Sequence, residues 1–286
     1  MNSDSSKKQK SASRPVKDRA TPIREAVLNV CLRIMYFRCL VIGLFALSRV
    51  QGNEATALIG AALAAAERHD SAEALRLFER AGEIKIRDAG LAQTIARHCS
   101  DLVLAQPDVP TKIRYARAAL DYSQRAVALN PKDPVNVLSL AVCHGKLALY
   151  CGPPDKIRYA KLVREEAERA ITMDPNYAWA HHVLGRWHCE MVQVSAAARF
   201  LAGVVFGDLP TPSLKEGIRE LECAVRLEPD ELNHWIELGF ALHLAGDESK
   251  ARDLWIHALA MPSRGPNDEP AKQRARAELT KTTGAG

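Results

Sequence analysis

Several things are scarce in this chain. Aromatic residues make up only 6% of its 286 positions. Its seven cysteines are Cys31, Cys39, Cys99, Cys143, Cys151, Cys189 and Cys223, an odd set with no Cys-x-x-Cys pair, so neither a disulfide framework nor a zinc ribbon is expected. There is no Gly-rich phosphate loop, no Gly-x-Ser-x-Gly elbow and no His-Glu-x-x-His pair, which removes the usual sequence support for catalysis. The apolar run Cys39-Leu-Val-Ile-Gly-Leu-Phe-Ala-Leu47 is nine residues, and a bilayer span needs about twenty. No β-branched stretch of strand length alternates with period two.

What is present favours helix. Hydrophobic residues reach 47% and charged residues 26%, enough for a full core. Ala, Leu, Arg and Glu crowd the sequence; Ala loses no side-chain entropy in a helix and the straight chains lose little. The net charge of +5 is unevenly placed. Residues 1–38 hold nine Lys/Arg and three Asp/Glu, whereas residues 39–286 sum to −1. A near-neutral body gives phosphate backbones no footprint, so no nucleic-acid partner is expected.

Residues 1–52 stand apart. Residues 1–20 are Ser/Lys-rich and aperiodic, which reads as disorder. The apolar run between Arg38 and Ser48-Arg-Val-Gln-Gly52 suits the h-region of an export signal, with Met35 as an alternative start. An uncleaved membrane anchor over residues 35–52 is the other reading. Either one places the protein outside the cytoplasm or on a membrane.

Residues 53–282 form a helical repeat domain. Its breaks recur in one form: Ala126-Val-Ala-Leu-Asn-Pro131, Ala170-Ile-Thr-Met-Asp-Pro175, Ala224-Val-Arg-Leu-Glu-Pro229 and a shortened Ala258-Leu-Ala-Met-Pro262. Each reads as a helix end stopped by proline. In the last unit Trp235, Leu238, Gly239, Leu242, Gly246, Ala251, Trp255, Ala258 and Pro262 fall nearly where a tetratricopeptide unit of about 34 residues wants its large and small side chains. Gly246 suits a left-handed helix end, and Asp247 suits the next N-cap. Earlier units begin near Ala178, Pro134 and Leu58, with an irregular pair at roughly 88–106 and 111–129. The expected fold is all-α: a tetratricopeptide-like α-solenoid of four to five antiparallel helix pairs in one cooperative array.

The segment Trp179-Ala-His-His-Val-Leu-Gly-Arg-Trp187, then Phe206-Gly-Asp-Leu-Pro210, then Glu216-Gly-Ile with Ala224-Val-Arg-Leu-Glu-Pro229, resembles the regulator of microtubule dynamics proteins. So does Leu129-Asn-Pro-Lys-Asp-Pro134. The resemblance spans roughly residues 70–280. It implies a tetratricopeptide-like fold, no enzyme activity, and association with microtubules or membranes in animal members. That gives a cytoplasmic, microtubule-associated location as the alternative to export.

First helices line the inner groove of such arrays. The register puts Val135, Leu138, Val142 and Lys146 there in one unit, Trp179, His182, Arg186 and Glu190 in the next, and Asn233, Ile236, Phe240 and His243 in the last. The expected partner is a peptide or protein held against Lys146, Trp179, His182, Arg186, Glu190, Asn233, Phe240 and His243. Trp179 and Arg186 are seven apart on one face, an Arg–aromatic pair suited to a peptide or carboxylate. Arg186 could equally pin the neighbouring insertion. His181, His182, His188 and Cys189 cluster on one helix, but lack the i,i+4 spacing of a metal pair and read as core or interface histidines. No metal and no cofactor are expected. The nearly uncharged insertion, residues 190–210, is either a buried extra helix or an apolar lid for a partner or lipid. The second functional reading is therefore a membrane-tethered or lipid-contacting repeat protein.

Overall fold

The computed structural model describes residues 53–68, 70–84, 87–195, 203–204, 211–265 and 267–283. The disorder, export and anchor readings of residues 1–52 lie outside them. So do both readings of the insertion, at residues 196–202 and 205–210, and the Phe206–Pro210 motif. Among the described residues there are helices and no strand. Residues from Glu54 onward form one compact unit. No helix among them is long and apolar enough to cross a membrane.

The helices alternate first and second members of antiparallel pairs. They are α1 (53–67) with α2 (Ser71–Ile84), α3 (Ala89–Leu102) with α4 (Val109–Leu129), α5 (Pro134–Ala148) with α6 (Pro153–Met173), α7 (Ala178–Val192) with α8 (Leu214–Leu227), and α9 (Leu232–Leu244) with α10 (Glu248–Ala260). A last helix, α11 (Asp268–Thr283), comes after the fifth pair. The repeated Ala-to-Pro breaks end second helices. The N–H groups of Asn130, Asp174, Glu228 and Met261 bond to the carbonyls of Ala126, Ala170, Ala224 and Ala258. Starts are capped by short polar side chains: Asp108 takes the Thr111 N–H at 2.8 Å, and Asp133 the Val135 N–H at 2.9 Å.

Small residues set how closely the pairs cross. A Cβ on Gly185 would lie 2.8 Å from the Gly217 carbonyl oxygen, and one on Gly217 would lie 3.0 Å from the Gly185 oxygen. Helices α7 and α8 therefore meet backbone to backbone. Gly239 lies equally close to Trp255, which is fully buried and donates its indole N–H to the Ile236 carbonyl at 3.1 Å. Gly246 has φ +84, the left-handed end expected after α9. Its N–H reaches the His243 carbonyl, and the Asp247 N–H reaches Leu242.

Two second helices are longer than their counterparts. Both α4 and α6 run 21 residues, and both contain Lys-Ile-Arg-Tyr-Ala, at residues 112–116 and 156–160. Their later arginines have matching roles. Arg125 donates to the Gly82 carbonyl at 2.8 Å, and Arg169 to the Pro131 carbonyl at 3.1 Å, each fastening a pair to the end of the one before it.

Helix α11 covers the far end of the array. Ala271 and Ala275 join Ile236, Ala251 and Trp255 in one buried cluster. Just before α11, Asn267 donates to Asp101 of α3 at 3.1 Å, across 166 residues of sequence.

Candidate functional site

First helices α7 and α9 and the last helix α11 enclose a cleft of about 320 Å³. Its walls carry Arg186, Cys189 and Glu190 from α7, Glu237, Phe240 and His243 from α9, and Arg274 and Glu278 from α11. A buried carboxylate organises the charges. Glu237, 11% exposed at its side chain, accepts from Arg274 at 2.7 Å and faces Arg186 at 3.8 Å. Burial works to raise its pKa, but the two guanidiniums outweigh that and hold it below the usual carboxylate range. Arg186 donates Nε to Glu190 at 2.8 Å, and Arg274 lies 4.5 Å above the Phe240 ring. Both arginines keep about half of their side-chain surface exposed. Glu237 and Glu190 already engage both guanidiniums, and with Glu278 the cleft holds three carboxylates against two arginines beside an aromatic face, so the remaining N–H donors suit carbonyl and amide groups. Its volume, at the small end for ligand sites, suits one or two side chains of a longer partner.

Below this cleft, α7 and α9 meet through rings. His182 and His234 approach at 2.9 Å, Nδ1 to Nδ1, and Trp179 packs against both with centroids 4.9 and 4.8 Å away. One ring must donate and the other accept. With His182 as donor, His234 carries its proton on Nε2, which is buried, lies 3.6 Å from Glu228 and makes no hydrogen bond. Burial lowers both pKa values, to about 4 for His182 and about 3 for His234, so both rings are neutral at pH 7.

His181 is the opposite case. Its Nδ1 faces Glu220 at 2.6 Å and its Nε2 faces the Pro175 carbonyl at 2.9 Å. Two acceptors require two ring protons, so this histidine is the cationic half of an ion pair. The hydrogen bond to Glu220 raises its pKa, while His181 and Arg219 lower that of Glu220 against the effect of burial. His188 Nδ1 accepts the Ser213 N–H at 3.1 Å. His181 and His188 thus face α8 and its start. Among the described residues no group of three His, Cys, Asp or Glu could hold a metal ion.

Of the sequence-derived groove residues, Arg186, Glu190, Phe240 and His243 come together in the cleft. His182 is buried beneath it, and Trp179 packs against that ring. Asn233 donates to Asp268 of α11 at 2.8 Å, and Ile236 is sealed by the same helix. Leu138 is buried in the core. Lys146 lies further along the inner face, where burial and Arg186 lower its pKa and Asp101 opposes them. Three charged cleft residues escaped the sequence reading: Glu237, Arg274 and Glu278. Glu237 sits one residue off the repeat's inward positions. The other two belong to α11, whose signal was the Asp268-Glu269-Pro270 start and the i,i+4 pair Ala271 and Ala275.

The sequence matches the family of regulator of microtubule dynamics proteins 1-3 over residues 60–283. The chain belongs to this family. The match includes α11, so the helix that closes the cleft lies within the family's own span. No curated protein sequence matches the chain. Among solved structures, the thermophilic tetratricopeptide protein TTC0263 of Thermus thermophilus is similar at 19% identity and TM-score 0.55, covering 80% of this chain and 99% of that one. That likeness places the family member among tetratricopeptide-like solenoids. YrrB, a tetratricopeptide protein with an unusual peptide-binding site, is 14% identical with TM-score 0.41, covering 82% and 98%. MamA 41-end from Desulfovibrio magneticus RS-1 is 17% identical with TM-score 0.45, covering 73% and 95%.

Proposed function

We propose that this family member is a non-catalytic scaffold that holds a segment of a protein partner in the cleft between α7, α9 and α11. The observation that carries the reading is the convergence of Arg186, Glu190, Phe240 and Arg274 around buried Glu237. The arginines stay charged, and Phe240 supplies an apolar face beneath Arg274. The cleft's thiol argues against covalent chemistry: burial pushes the Cys189 pKa up to about 12, so it carries no thiolate at neutral pH. Peptides selected from a random library on the wild-type protein test the reading. They are expected to lose affinity about ten-fold or more on Arg186→Ala/Phe240→Ala, with the helical circular dichroism unchanged. Equal binding to the variant would remove the cleft from the mechanism.

Microtubules come to this chain through the family's description. Residues 1–38, with nine cations against three acids, are the part suited to the acidic surface of tubulin. Co-sedimentation with microtubules should fall sharply when residues 1–38 are removed, and retention would shift the contact to the helical body. Residues 35–52 are the membrane tether in this proposal, and flotation with and without them tests it.

A further inference from the structure

The near-neutral body is not neutral in its distribution. Every first helix ends, and every second helix begins, along one edge of the array. At the second and third pairs this edge carries three of the most exposed large apolar side chains: Leu104 and Val109 at 51% and Leu149 at 59%. The opposite edge holds Leu129, Val135 and Met173, none above 38%. Cations stand beside the apolar residues. Lys112 and Arg114 begin α4, and their counterparts Lys156 and Arg158 begin α6 in the duplicated pentapeptide. Arg158 pairs with exposed Asp155 at 3.0 Å. The carboxylate of Asp108 is occupied by the backbone and hydroxyl of Thr111, and Arg114 and Lys112 act on it only through space. Among the described residues Lys112, Arg114 and Lys156 close no ion pair. The opposite edge mixes its charges: Lys132, Arg169 and Arg226 stand among Asp133, Asp174, Glu228, Asp230 and Glu231.

We infer that this edge, at α3–α4 and α5–α6, rests on an anionic lipid bilayer, with Leu104, Val109 and Leu149 entering the interface and Lys112, Arg114 and Lys156 facing the headgroups. Apolar tips flanked by long cationic side chains are what a bilayer interface accepts, since the stems bury while the charges stay at headgroup level. A bilayer fits better than a peptide because the tips protrude from separate turns and enclose no groove. It fits better than nucleic acid because no exposed aromatic stands ready to stack on a base: Tyr115 is buried, and Tyr159 lies half-buried under Arg158. The inference is independent of the cleft and of residues 35–52.

The test uses the full chain carrying Leu149→Trp or Leu104→Trp, mixed with phosphatidylcholine vesicles containing about 30 mol% phosphatidylserine and brominated acyl chains. The native tryptophans form the background: Trp179, Trp235 and Trp255 belong to other parts of the array, and Trp187, which donates to the Ala160 carbonyl at 2.6 Å, is buried. The added indole is expected to be quenched by the brominated lipid. A Met173→Trp control on the opposite edge is expected to stay unquenched. Adding Arg114→Glu/Lys156→Glu should weaken the quenching about ten-fold or more at fixed lipid. Because the probe sits on the edge itself, binding through residues 1–52 alone does not produce the signal. An unquenched indole in the Leu149→Trp variant, or quenching indifferent to the charge reversal, would overturn the inference. So would charge-dependent binding of a polyglutamate peptide without any lipid quenching, which would assign the edge to acidic protein.

Discussion

Gly239 has no room for a methyl group. The place where its Cβ would stand is already filled by the indole of Trp255, a side chain fully buried between α9 and α10. Gly239→Ala should therefore destabilise the protein by about 1–3 kcal/mol through overpacking, read as a lower urea midpoint. This constraint was legible in the sequence, because a small residue and a large one recur at fixed offsets. The His182–His234 contact was not legible, since it joins rings 52 positions apart and depends on how two helices turn toward each other. It carries its own prediction. Both rings have folded pKa values below the unfolded histidine value of about 6.5, so the unfolded chain takes up protons first as pH falls. Stability should be fully present above about pH 6.5 and should decline from there toward pH 4, by about 2 kcal/mol per ring at pH 5. The groups facing these rings are Glu237, Arg186 and Arg274 at His182, and Glu228 at His234. The His181–Glu220 pair has the opposite sign on its histidine side: that contribution is lost as pH rises through the raised folded pKa. Urea unfolding from pH 4 to 8, compared with His234→Phe, checks the acid limb. A flat profile below pH 6 in the wild type would contradict the neutral buried pair.

At the scale of elements, the proline-marked ends of α4, α6, α8 and α10 can be read directly from the sequence, because a missing N–H and a fixed φ act locally whatever the surroundings. Gly246 belongs with them. Its φ of +84 predicts that Gly246→Ala loses about 1 kcal/mol, with no change in binding at the cleft. Helix α11 is the element sequence reasoning left out. It carries no repeat signature, and its place is set by the apolar end it covers. Removing residues 267–286 should uncover Ile236 and Trp255, lower the melting temperature by several degrees and increase dye binding to apolar surface. An unchanged melting temperature would mean that the fifth pair is a sufficient terminus by itself. The same truncation deletes Arg274 and Glu278, so it should also abolish peptide capture.

For the whole molecule, the pairwise stacking explains why most of the fold could be read from spacing while half of the cleft could not. Stacking depends on nearest neighbours, and nearest-neighbour rules are written into every repeat. The cleft depends on a helix that lies beyond the last repeat. The hydrogen bond between Asp101 and Asn267 depends on the accumulated twist of every pair between them. That bond turns a spring into a loop. A spring lengthens a little at each joint when pulled, but a loop holds its shape until its clasp opens. One exposed hydrogen bond is worth about 1 kcal/mol, so the clasp releases spontaneously and often. Asp101→Ala would remove that bond and favour the open form about five-fold, and small-angle scattering should then record a longer average dimension. A guest too large for the closed form would have to wait for that release, and its arrival rate would quicken in the variant.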